Sequence, residues 1–101
     1  MSHTGGQIMI NYLLTRNNTF YYRRRIPKEY SYLFSQKNEI RIKMVKKSYR
    51  TAILDSNKTN LLFEEMLNML RLDTFDKKEQ IVQEYMDMMK KVVLKSIIFQ
   101  G

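Results

Sequence analysis

The side-chain chemistry open to this chain is narrowed first by what it lacks. It has no cysteine, one histidine and three glycines, which leaves no thiolate nucleophile, no cysteine metal site and no glycine-rich loop to cradle a phosphate. His3 stands alone in "MSHTGGQ", without the further ligands that a metal requires. The paired carboxylates Glu64 and Glu65 have no histidine beside them and read as a solvated helix face. No catalytic residue, metal or cofactor is therefore expected. One stretch points elsewhere: in "TFYYRRRIPKEY" (19–30), Arg23, Arg24 and Arg25 follow directly on Phe20, Tyr21 and Tyr22. A buried strand would exclude that much charge, and a merely solvated run has no use for the aromatics. Arginine forks matching guanine edges, lysines meeting phosphates and rings packed on sugars or bases make a nucleic-acid surface.

The placement of charge supports that chemistry. The chain carries a formal +8. Residues 16–58 hold 12 Lys/Arg against Glu29, Glu39 and Asp55, while residues 59–101 are close to neutral. A positive field confined to one segment suits a polyanion. With 101 residues and 44% hydrophobic content, the chain has room for one cored domain and an extra element. No apolar run approaches the roughly 18 residues needed to cross a bilayer, and the start lacks a basic, then apolar, secretory pattern. No membrane partner and a cytoplasmic, DNA-associated location are expected; the absence of cysteine suits a reducing compartment.

Three strands must position the basic residues. Residues 10–16 read as the first, "NN" at Asn17 and Asn18 as a tight hairpin turn, and residues 19–26 as the returning strand. Pro27 opens a short helix over "PKEYSYLF" with Tyr30, Leu33 and Phe34 inward. "EIRIKM" alternates without exception, Ile40, Ile42 and Met44 on one side and Glu39, Arg41 and Lys43 on the other. Ser48 is a plausible N-cap for a helix running to about Leu72 with Ala52, Ile53, Phe63, Met66, Leu67 and Leu70 at helical spacing. A second helix over 80–99 bears Ile81, Val82, Tyr85, Met86, Met89, Val92, Val93 and Ile97 on a broad apolar face, wide enough to pack on the first helix, on a copy of itself or on another domain. The expected fold is α+β: a three-stranded antiparallel sheet packed against a long helix, with an additional C-terminal helix.

Parity assigns the faces. Phe20, Tyr22 and Ile26 belong to the core side, with Tyr21, Arg23 and Arg25 outside. The first strand, read on its own, places Tyr12 and Leu14 inside and Asn11, Leu13 and Thr15 outside. Arg24 falls on the core side, so its stem should pack at the margin while its head finds water or an acid. The outward face then presents Thr15, Tyr21, Arg23, Arg25, Arg41 and Lys43, flanked by Arg16, Lys37, Lys46, Lys47 and Arg50 for phosphates. Like charges on neighbouring strands repel unless a counter-charge arrives, which favours a DNA face over a bare solvated one.

The order "YLLTRNNTFYYRRRIPKEY", "LF", "NEIRIKM" and "KKSYRTA" resembles the N-terminal arm-type DNA-binding domain of phage-integrase-like tyrosine recombinases. The resemblance covers about residues 12–70. It implies a three-stranded sheet on a helix, inserted in the major groove of arm-type sites. "NN" stands where glycines are common in that family, and "VKK" where a glycine often follows the third strand. The family's catalytic Arg/His/Arg set and tyrosine nucleophile belong to a separate C-terminal domain, so no catalytic role carries over. Residues 1–9 are then a flexible terminus, 10–72 the arm-type domain, and 73–101 a linker and helix for coupling or oligomerisation. The expected function is double-stranded DNA binding in support of site-specific integration and recombination, with recombinase core domains or other subunits meeting the C-terminal helix. The alternative is a helix-mediated protein-interaction module whose basic surface only steers; binding to structured RNA ranks third.

Overall fold

The computed structural model describes residues 12–45 and 48–98, with the side chains of 95–98 excepted. Its elements are β1 (Leu13–Arg16), β2 (Thr19–Arg25), a 3-10 helix (Lys28–Phe34), β3 (Glu39–Lys43), α1 (Tyr49–Leu72) and α2 (Lys78–Ile98). The strands form one antiparallel sheet in the order β1-β2-β3. The fold is α+β, with one long helix and a C-terminal helix. His3, the terminal residues 1–9 and the first residues assigned to the first strand lie outside the described residues, as do Lys46, Lys47 and Phe99.

The hairpin turn follows from its asparagines. Asn17 and Asn18 both adopt positive φ, 51° and 62°, as a two-residue turn that matches strand twist demands and as asparagine tolerates better than most residues. The loop pairs Arg16 with Thr19, and that fixes Leu14 opposite Tyr21 and Leu13 opposite Tyr22. Here the structure corrects the sequence reading. Leu13 lies inside, at 4% exposure, beside the fully buried Tyr22, while Leu14 shares the outward side with Tyr21. Thr15, opposite Phe20, falls on the core side rather than the outer face. The strand was read from its own apolar pattern, in which adjacent leucines are ambiguous; the turn decides the register. Tyr12, with φ 61°, sets its ring edge-on to the core-side Tyr22, 6.5 Å between centroids, but at the margin, where it stays 40% exposed.

Pro27 leads into the link between β2 and β3, which is 3-10 and not α, with Tyr30 and Phe34 buried and Leu33 partly so. The turn closes through Ser35 and Gln36, both left-handed. In β3, Ile40 and Ile42, with Met44 just beyond, are buried, whereas Arg41 and Lys43 are exposed, as strict alternation requires.

Ser48 caps α1 by accepting the Thr51 N–H at 3.2 Å, satisfying one of the helix's orphan donors. Ala52, Phe63, Met66, Leu67 and Leu70 are buried and Ile53 half-buried. At the joint, Asp73 accepts the backbone N–H of Phe75 at 3.1 Å and of Lys77 at 2.9 Å, and α2 begins at Lys78. Its Val82, Met89 and Val93 enter the same core cluster as the sheet and α1, with Ile81, Tyr85 and Met86 packed against it. The apolar face of the second helix is thus used within this molecule as far as Val93; the side chain of Ile97, read on the same face, lies outside the described residues.

Arg24 is the point where sheet and α1 lock. Its guanidinium lies 4.6 Å from the centroid of the Tyr12 ring and 4.5 Å from that of Phe63. It donates to Asn60 Oδ1 at 2.7 Å and pairs with Glu64 at 2.8 Å. Tyr22 donates its hydroxyl to the same Asn60 oxygen at 2.8 Å. Burial holds the Tyr22 phenol protonated well above its ordinary range, outweighing the opposite pull of the Arg24 charge. The acid expected for the head of Arg24 is Glu64.

Two stability outcomes follow. Leu13→Ala should cost about 2–4 kcal/mol and Leu14→Ala under about 1 kcal/mol in urea unfolding; equal losses would contradict the register. Arg24→Met, which keeps the stem but loses the cation–π and ionic contacts, should cost about 2 kcal/mol in the same assay.

Candidate nucleic-acid interface

Register assembles the outer face pair by pair. Tyr21 opposes Lys43, Arg23 opposes Arg41 and Arg25 opposes Glu39 across β2 and β3; Leu14 opposes Tyr21 and Arg16 opposes Thr19 across β1 and β2. Cross-strand partners share a face, so Arg16, Tyr21, Arg23, Arg25, Arg41 and Lys43 project on the side away from the core. Since β2 is the central strand, Tyr21, Arg23 and Arg25 run down the middle of that face. Arg41 and Lys43 lie on the edge strand. Lys37 is exposed in the loop before β3. Arg50 is exposed in the first turn of α1, the helix behind the sheet, and so does not join the outer face; Thr15 is absent from it by register.

The cations of this face do not stand without a counter-charge. Glu39 accepts from Arg23 Nε at 2.8 Å and, through its other oxygen, from Arg41 Nη2 at 2.7 Å. This offsets the repulsion between Arg23 and Arg41, which face each other directly. Desolvation works to raise the Glu39 carboxyl, but the hydrogen bonds from Arg41 and Arg23 and the charges of both arginines prevail, holding it below the usual carboxylate range. The pairing has a geometric effect as well: Arg23 uses its Nε on Glu39, so its two terminal nitrogens are not spent in that bond. A guanidinium held by its inner nitrogen is restrained in its plane while its two terminal nitrogens remain outside that bond, and such a pair of donors is what a guanine O6/N7 edge or a phosphate accepts. By sequence Glu39 is one of the three acids of the basic segment and shares a strand side with Arg41 and Lys43. Its organising position follows from the register that sets it opposite Arg25 and diagonal to Arg23.

The face ends in a groove of about 610 Å³ between β3 and α2, lined by Phe34, Lys37, Ile40, Ile42, Met86 and Lys90 among others. Lys90 comes from α2, an element that sequence reading assigned to protein partners. A second cleft, of about 520 Å³, lies at the far end of the sheet and carries Arg25 and Lys28. Among the described residues no cluster of His, Cys, Asp or Glu is suited to a metal ion, and no helix is long and apolar enough to cross a membrane. Comparisons with protein families, curated proteins and solved structures found no match.

The Glu39 bridge has a pH signature. A carboxyl whose folded pKa is depressed adds stability that is full above its unfolded pKa and is lost as pH falls toward the folded value. The stability gap between the wild type and Glu39→Gln should therefore be open at pH 6 and close below about pH 4. Urea midpoints across that range measure it, and a gap that widens in acid would reverse the assignment.

Proposed function

We propose that this chain is a double-stranded DNA-binding module that lays the outer face of its sheet into the major groove. One observation carries the reading: the central strand presents Tyr21, Arg23 and Arg25 in alternation on the face away from the core, with Arg23 held to Glu39 through its Nε and not through its two terminal nitrogens. The dimensions agree. Strands spaced about 4.8 Å apart make a three-stranded sheet about 10 Å across, against a major groove about 12 Å wide. In this arrangement Arg23 and Arg25 read base edges, Tyr21 packs on the backbone or a thymine methyl, and Arg16, Lys37 and Lys43 neutralise phosphates. Arg41, bound to Glu39 on the edge strand, lies nearer the wall than the centre.

The resemblance to arm-type domains of tyrosine recombinases gives this module a biological setting: a unit that anchors a recombinase to accessory sites, with catalysis residing elsewhere. The alternative, docking through the C-terminal helix, loses ground because the buried side of α2 is already packed in this molecule's core.

Sequences enriched from a random duplex pool would supply the specific site. Wild-type affinity should then fall with salt at a log–log slope near −4 to −5 for about five neutralised phosphates, with duplex DNA outcompeting RNA; a slope close to zero would defeat the reading. Arg23→Ala should lose about 1–3 kcal/mol on the enriched site and relax base preference, while remaining folded by circular dichroism. Glu39→Gln, which removes a negative charge and unfastens Arg23, should tighten binding to random duplex and lower the specific-to-random ratio.

A further inference from the structure

The β3 edge opens onto the groove beside α2, and among the described residues no further strand pairs with its outer side. Met44 N–H donates to Phe20 at 2.9 Å and Ile26 N–H to Asn38 at 2.8 Å, so the even-numbered positions of this strand bond to β2. By antiparallel alternation, Glu39, Arg41 and Lys43 turn their N–H and C=O groups away from the sheet, toward the groove. Its floor is apolar, built by Phe34, Ile40, Ile42, Met86 and Val93, and its rim carries Lys37, Arg41, Lys43 and Lys90. The acid on that rim is Glu39, and both of its oxygens are already engaged by Arg23 and Arg41.

Charged residues on an edge strand commonly guard against edge-to-edge aggregation. That accounts for Arg41 and Lys43. It does not account for Lys37 and Lys90, which arrive from the preceding loop and from α2 and converge on the same groove. Their convergence has a use if the sheet occupies a major groove. A sheet about 10 Å across nearly fills a channel about 12 Å wide, so the phosphate strands that wall the channel must run along the two sheet edges.

We infer that the groove between β3 and α2 seats the sugar-phosphate strand bordering the major groove on that side, with Lys37, Lys43 and Lys90 as its phosphate contacts and the outward β3 amides as additional donors. The inference rests on the reading of the sheet face as a DNA surface and extends it to an element outside the sheet. The second helix becomes part of the DNA interface, and its attachment to the core through Val82, Met89 and Val93 sets Lys90 at the wall.

The test compares the full chain with Lys90→Ala, Lys37→Ala and Lys91→Ala on one random-sequence duplex over a series of salt concentrations. Lys91 is exposed, adjacent on α2 and absent from the groove lining. Lys90→Ala and Lys37→Ala should each make the slope less negative by about 0.9 and weaken binding roughly eightfold at about 0.1 M salt. Lys91→Ala should leave both unchanged, and circular dichroism should show all variants folded. If Lys90→Ala behaves like Lys91→Ala while Arg23→Ala still relaxes base preference, the inference fails and the sheet reading survives. If the wild type shows no salt dependence, the sheet reading fails and takes the inference with it. A third outcome also overturns it: an acidic peptide of alternating Glu and Val shifts the amide resonances of Glu39, Arg41 and Lys43 while the DNA slope is insensitive to Lys90. That result would make the groove a strand-docking site.

Discussion

The fold depends on one cation on the wrong side of a sheet. Consecutive strand residues alternate between faces, so a run of three arginines on a strand backed by a core must send at least one inward. Arg24 is that residue, and α1 receives it with Asn60 and Glu64 one helical turn apart and the ring of Phe63 between them. Without those partners a desolvated guanidinium would oppose folding. With them it fastens the sheet to the helix and fixes the parity that turns Arg23 and Arg25 outward. Lysine would not serve equally, because a compact ammonium cannot lie flat between two rings while donating in its own plane.

Charge is thus used at three levels in one small molecule. Arg24 is internal and structural. Arg23 and Arg41 are superficial but constrained, gathered by Glu39 so that their directions are set before any ligand arrives. The lysines around the β3 groove are exposed and, among the described residues, form no ion pair with an acid, which suits a diffuse anion more than a defined hydrogen-bond pattern. The gradient runs from the helix side to the open face; under the proposed function, base reading would fall to the constrained arginines and phosphate holding to the exposed lysines.

Much of this was legible in the sequence for identifiable reasons. "EIRIKM" alternates strictly, Ser48 precedes a helical apolar pattern, and asparagines mark the tight turn, so β3, the α1 cap and the hairpin were each fixed by local chemistry. For the first strand the apolar pattern misleads although the sequence holds the answer: a two-residue loop at Asn17 and Asn18 forces Arg16 against Thr19, and counting back sets Leu13 against Tyr22. Hydrophobicity could not choose between Leu13 and Leu14; hairpin arithmetic could. The Glu39 bridge was less accessible, because β2 and β3 are joined by a long 3-10 connection that imposes no register. The place of Lys90 was hidden for a similar reason. An amphipathic helix announces that one side is buried but not which element buries it, and only the packing of α2 brings that lysine to the sheet edge.

The left-handed residues of the connections carry a consequence of another kind. The chain's glycines are Gly5, Gly6 and Gly101, none of which occupies a described positive-φ position, and Ser35 and Gln36 adopt φ of 58° and 62° in their place. A side chain held in that region costs on the order of 1 kcal/mol, partly offset by the smaller conformational freedom it has when unfolded compared with glycine. The two terms are of similar size, so stability is nearly indifferent to glycine at these two positions, and this connecting loop can be altered there while every cation of the outer face keeps its place.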